Sequence, residues 1–67
     1  MYFRRLRDLR EDANLTQKEV AAYLNISQPQ YYLYESGERE IPARMVVSLA
    51  KYYKTTTDFI LGLTEEK

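Results

Sequence analysis

The 67-residue chain contains no cysteine and no histidine, and only two glycines and two prolines. Each shortage removes a class of protein. Without cysteine there is no disulfide framework and no thiolate zinc site. Without histidine the commonest general base and the commonest metal ligand are gone, so a Ser-His or Cys-His nucleophilic site is impossible. Carboxylate pairs remain. A chain of this length, however, buries only about 60% of its unfolded surface, which leaves little room for a substrate cleft beside a core. Catalysis is not expected, and neither is a cofactor, a metal or a small-molecule site. Apolar runs are short, such as MVV and FIL, far below the ~20 residues of a membrane span. With no signal peptide either, the expected location is cytoplasmic.

A net charge is also missing, because ten basic and ten acidic residues cancel. Their distribution is uneven. Residues 1–10 carry Arg4, Arg5, Arg7 and Arg10 against Asp8, a surplus of +3. Residues 55–67 carry Lys67 against Asp58, Glu65 and Glu66, a balance of −2. The basic end has the sign a polyanion would need, but on charge alone an ordinary solvated helix face is the better reading.

Few Gly and Pro residues and no polar/apolar alternation predict an all-helical chain, a single domain over residues 1–67. Helix one is expected over residues 2–13, with Phe3, Leu6, Leu9, Arg10 and Ala13 on one face and Asn14 as its exit. Thr16-Gln17-Lys18-Glu19 has the form of a capping box and opens helix two, 17–24, which buries Val20, Ala21 and Leu24. Ser27-Gln28-Pro29-Gln30 is a second such signal, with Pro29 in the first turn, where a missing amide hydrogen costs nothing. It opens helix three, 28–36, stopped by Gly37. Only residues 25–27 separate helices two and three, a tight helix-turn-helix connection. Pro42 precedes helix four, 43–53, with Val46, Leu49, Ala50 and Tyr53 at helical spacing and Met45 beside them. The threonines at 55–57 cap a short helix five, 57–61. The strings NLT and NIS match the N-glycosylation pattern but read better as helix-entry segments.

At about 100° per residue, Tyr31, Tyr34 and Glu35 share one side of helix three. Gln28, Pro29, Tyr32, Leu33 and Ser36 share the other. The first side suits a core. The second suits a DNA major groove, since glutamine can donate to and accept from adenine together and leucine can meet a thymine methyl. Gln30 is left between two roles, completing the cap or touching a base, and Tyr32 with Leu33 would also make a small protein-binding patch.

The segment LTQKEVAAYLNISQPQYYLYESGEREIP resembles the central motif of the XRE-type, Cro/repressor-like helix-turn-helix family. LRDLRED and LAKYYKTTTDFILGLT fit its first, fourth and fifth helices, so the resemblance covers nearly the whole chain. It implies a compact five-helix, lambda-repressor-like domain whose helices two and three form the helix-turn-helix. The third helix would enter the major groove, usually in a two-fold dimer. Carried over by position, Gln17 would bond a phosphate, with Lys18, Ser27, Ser36, Arg39 and Arg44 as further backbone contacts. Gln28, Pro29, Tyr32, Leu33 and Gln30 would face bases. Arg10 and Glu35 match an internal ion pair between helices one and three. Tyr53, Phe59 and Leu63 lie where the family tends to pair, although Tyr53 could be core and Phe59 a lone exposed aromatic.

Departures from the pattern carry information too. Basic residues common on the outward face of helix three, or after the glycine, are replaced by Gln, Pro, Tyr and Leu, with Glu38 after Gly37. Fewer cations mean weak non-specific binding and a shallow salt dependence. Asn14, Asn25 and Lys54 stand where relatives often have glycine; the asparagines fit, whereas Lys54 suggests a different exit from helix four. The expected function is sequence-specific recognition of double-stranded DNA by a transcriptional regulator, a repressor, acting as a homodimer on a two-fold operator. The alternative is an antitoxin-like or dimerisation module that keeps the fold without reading bases.

Overall fold

The computed structural model describes residues 2–67. Five helices follow in order: α1 Arg4–Asp12, α2 Gln17–Leu24, α3 Gln28–Ser36, α4 Ala43–Tyr52 and α5 Thr57–Ile60. No strand occurs among the described residues. Helix α2 packs against α3, α1 lies against both α3 and α5, and α4 packs on α5. Leu6, Val20, Tyr31, Leu49 and Ile60 are fully enclosed where these helices meet.

The local signals explain most boundaries. Thr16 Oγ1 accepts from the Glu19 amide and the Glu19 carboxylate accepts from the Thr16 amide, which completes the first capping box. Helix α2 ends at Asn25, left-handed at φ 60, and the Ile26 amide then closes onto the Ala21 carbonyl at 3.0 Å. Ser27 caps α3 by accepting from the Gln30 amide at 3.2 Å. Gln30 does not complete a second box: its side-chain amide donates to the Tyr34 hydroxyl at 3.0 Å. The pull of a buried tyrosine oxygen needing a partner wins over the cap.

Helix α1 begins at Arg4, two residues later than the periodicity suggests, and its N-cap Phe3 supplies no side-chain cap. Tyr2 is engaged elsewhere. It lies against Gly37, where a Cβ would meet the Tyr2 Cβ at 3.0 Å and Cα at 3.1 Å. Gly37 therefore answers two demands, the left-handed turn at φ 84 that ends α3 and the close approach of the amino-terminal segment. Ala13, expected on the inner face, is exposed.

The exit from α4 corrects one expectation. Lys54 adopts φ 56, the left-handed turn a glycine would take, and not a different route. The Thr55 amide bonds the Ala50 carbonyl at 2.9 Å across that turn, which holds lysine in a conformation costing about 1–2 kcal/mol. Glycine there would relieve that strain and give back part of the gain as unfolded-state entropy. Lys54→Gly is expected to stabilise the fold by about 0.5–1 kcal/mol, read as a rise of a few degrees in the thermal midpoint. A lowered midpoint would mean that the lysine side chain contributes more than its backbone costs.

The carboxyl end is fastened by Arg5. Its guanidinium lies 4.0 Å from the centre of the Phe59 ring, donates to the Phe59 carbonyl at 2.7 Å and also reaches the Thr64 carbonyl. Phe59 is consequently buried, at 8% exposure. This corrects its assignment both as a contact surface and as a lone exposed aromatic. Tyr53 is half-buried and its hydroxyl is enclosed; of the three residues placed at a dimer surface, Leu63 alone is open, at 74%. Tyr23 stacks on Tyr52 with ring centres 3.9 Å apart and bonds the Ser48 carbonyl at 3.1 Å, tying α2 to α4.

Candidate nucleic-acid interface

The centre of the site is an ion pair. Arg10 on α1 meets Glu35 on α3 through two parallel bonds, Nε to Oε2 at 2.9 Å and Nη2 to Oε1 at 3.0 Å. Arg10 Nη1 donates to the Leu15 carbonyl at 2.9 Å. This is the pair the resemblance implies, and it accounts for an arginine on the inner face of α1. The two side chains are only 14% and 5% exposed. Burial by itself would push the Glu35 carboxyl up, but the bonds from Arg10 and Gln17, with the Tyr31 hydroxyl lying close by, hold it below its usual range. Arg10 is pushed up by the same contact. The Tyr31 hydroxyl, enclosed and without a hydrogen bond of ordinary geometry, is raised by burial and by the Glu35 carboxylate.

From this buried pair a chain of hydrogen bonds runs to the surface. Gln17 Nε2 donates to Glu35 Oε1 at 3.2 Å, and Gln28 Nε2 donates to Gln17 Oε1 at 2.7 Å. A carboxylate can only accept, so Glu35 fixes which end of the Gln17 amide faces inward. The Gln17 oxygen must then face Gln28, which offers it a nitrogen. Gln28 is left with a free oxygen and one free N–H, the two groups that pair with an adenine edge. No spacing rule in the sequence announces this link, because eleven positions separate the glutamines; the turn at residues 25–27 brings them together.

Around it, Gln28, Pro29 and Tyr32 are exposed and Leu33 is half-buried. Gln30, turned toward Tyr34, offers its side-chain nitrogen inward. Tyr32 lines a shallow cleft with Tyr2, Arg7 and Ser36, on the flank of α3 nearest α1. The Ser36 hydroxyl is already occupied, within 3.2 Å of the Leu33 carbonyl and 3.0 Å of the Glu38 carboxylate. In the sequence Glu38 stands out only as a missing cation, and nothing there signals its bond to Ser36.

The arginines of the basic amino-terminal segment do not form an open positive face. Arg4 meets Asp8 at 3.3 Å, Arg5 meets Glu65 at 3.6 Å, Arg7 meets Glu11 at 3.1 Å and Arg10 meets Glu35 at 2.9 Å. Arg4 and Arg7 lie on the solvated face that the charge pattern suggests, whereas Arg5 and Arg10 are largely enclosed, at 17% and 14% side-chain exposure, and tie elements of the fold together. Among the described residues, Lys18, Arg39 and Arg44 have no carboxylate in ion-pair range, and all three are exposed. Lys18 lies in the first turn of α2, Arg39 follows the end of α3, and Arg44 opens α4 beside the turn residues Asn25 and Ile26. These cations frame α3, while its outward face is neutral.

This arrangement, two short helices across a three-residue turn with the second held outward on a buried ion pair, is a helix-turn-helix. The helix-turn-helix family profile matches residues 6–60, and the chain belongs to that family, in its XRE type. It is 38% identical over 66 residues to the uncharacterised HTH-type transcriptional regulator YobD of Bacillus subtilis, covering 98% of this chain and 59% of YobD. It is 36% identical over 62 residues to the HTH-type transcriptional regulator ImmR of the same organism, covering 92% of this chain and 49% of ImmR. The cryptic phage CTXphi transcriptional repressor RstR of Vibrio cholerae is 36% identical over 53 residues, 79% of this chain and 48% of RstR. The crystal structure of a transcriptional regulator from Listeria innocua superposes with a TM-score of 0.82 at 26% identity, over 92% of this chain and 58% of that one. The chain thus spans about half to three-fifths of the length of these relatives. No helix among the described residues is long and apolar enough to cross a membrane.

Proposed function

We propose that the protein is a sequence-specific double-stranded DNA-binding transcriptional regulator, a repressor, that places α3 in the major groove. The observation that carries this reading is the presentation of Gln28, with an oxygen and an N–H free at the surface and its amide oriented through Gln17 from the buried pair. Pro29, Tyr32 and Leu33 supply apolar contacts to thymine methyls and sugar edges. Gln17, Lys18, Ser27, Arg39 and Arg44 approach the phosphates, which position the helix without reading sequence. The names of relatives in the same family, regulators and a repressor, support the reading.

One helix of nine residues gives few base contacts, so the working unit is a homodimer with half-sites about one helical turn, ~34 Å, apart. With Phe59 enclosed, the contact moves to Leu63 and to Val47 and Leu61, which line an apolar groove with Phe3 and Ile41. Selection from random duplex DNA at low salt tests the function. Enrichment of a two-fold sequence with adenines at symmetric positions is expected. If a folded protein enriches no sequence, the reading falls and the interaction-module alternative takes its place.

A further inference from the structure

Resting on the DNA-binding reading above, we infer that Glu38 is a built-in determinant of affinity, a carboxylate held in the place a phosphate would take at the end of α3. Its position is set by two bonds to one hydroxyl. Ser36 Oγ lies 3.0 Å from Glu38 Oε2, and the Glu38 amide points back at the same oxygen at 3.4 Å. Ser36 belongs to the outward arc of the helix, and Gly37, left-handed at φ 84, folds the next residue back onto it. The carboxylate therefore stays on the reading side of the helix.

Geometry puts that carboxylate near the wall of the groove. Nine residues at ~1.5 Å each make a helix of roughly 13 Å, close to the ~12 Å width of the major groove. When the amino-terminal residue Gln28 is at a base edge, the far end of α3 and the loop after it stand beside the sugar-phosphate backbone. Two effects then follow. The carboxylate repels the nearest phosphate, in the same sense as the partial negative charge of the helix carboxyl end. It also occupies Ser36, whose single proton has Leu33 and Glu38 as acceptors already. The adjacent Arg39 is exposed and free of any carboxylate in ion-pair range among the described residues. One phosphate-seeking cation thus shares the loop with two exposed carboxylates, Glu38 and Glu40, of which Glu38 is the one bonded to Ser36.

The test compares wild type, Glu38→Gln, Ser36→Ala and the double variant on the selected operator and on a scrambled duplex, across salt concentrations. Glu38→Gln is expected to bind about three- to tenfold more tightly at ~50 mM salt, on both duplexes, with the gain shrinking toward ~0.5 M. Ser36→Ala, which removes the hydroxyl that holds the carboxylate in place, is expected to give part of the same gain, and the double variant to bind no more tightly than Glu38→Gln alone. A gain in affinity cannot come from misfolding, so a neutral or weaker Glu38→Gln protein overturns the inference. A changed base preference would also overturn it, making Glu38 a reader. Should wild type bind no duplex while remaining folded, the functional reading itself fails, and that outcome is distinct from wild type binding normally with Glu38→Gln unchanged.

Discussion

Replacing Glu35 by alanine is expected to remove about 3–5 kcal/mol of folding free energy. The reason lies in what remains. Arg10 would keep its one bond to the Leu15 carbonyl and lose both bonds to the carboxylate, leaving a guanidinium only 14% exposed with no counter-charge. A domain of this size has roughly 3–10 kcal/mol of total stability, so the variant should be largely unfolded at 37 °C. At ~4–8 °C per kcal/mol, the thermal midpoint should fall by at least about 12 °C. The pair need not be worth that much in itself, because breaking a buried pair costs more than the pair contributes. Removing both charges, Arg10→Met with Glu35→Leu, should therefore recover most of the loss, and circular-dichroism melts of the three proteins decide the point. A double variant no more stable than Glu35→Ala would place the cost in packing around position 35.

Acid should reproduce the same break. The Glu35 carboxyl is held below its unfolded value, so its contribution is complete above the unfolded carboxylate range and is lost as pH falls through the lower folded value. Stability should be flat from neutrality to about pH 5 and should drop below about pH 4. The Arg10→Met/Glu35→Leu protein should lose that part of the drop.

Much of this was legible in the residues, and for identifiable reasons. Capping residues, left-handed exits at asparagine and glycine, and a 3.6-residue apolar spacing act locally, so Thr16, Ser27, Gly37 and the core face of α4 could be placed without a structure. Side chains that choose among distant partners could not. Phe59 reads as open in the sequence because Arg5, which bonds its carbonyl and covers its ring, lies 54 positions away. Gln30 had a cap within reach and turned to Tyr34. The resemblance to a family supplied the Arg10–Glu35 pair, but not the two glutamines that carry its orientation outward.

Those glutamines give the largest functional prediction. Gln28→Ala should lose about 1–3 kcal/mol of discrimination at one adenine in each half-site. Over two half-sites that is ~2–6 kcal/mol, roughly 30-fold to more than 10⁴-fold in operator affinity. Binding to scrambled DNA should change little, because a neutral glutamine releases no counterions. Lys18→Gln and Arg39→Ala should behave oppositely, weakening all sequences alike and reducing the salt slope by about 0.9 for each phosphate no longer neutralised. Gln17→Ala should fall between these classes. On the proposed function it takes away a phosphate contact, and it also frees the Gln28 amide, which Gln17 holds at 2.7 Å, to rotate and present the wrong end to adenine. Site selection with Gln17→Ala should therefore show reduced adenine preference at the Gln28 position along with a uniform loss. If that preference survives intact while affinity drops, the hydrogen-bond chain from Arg10 merely supports the fold, and Gln28 orients itself on the base.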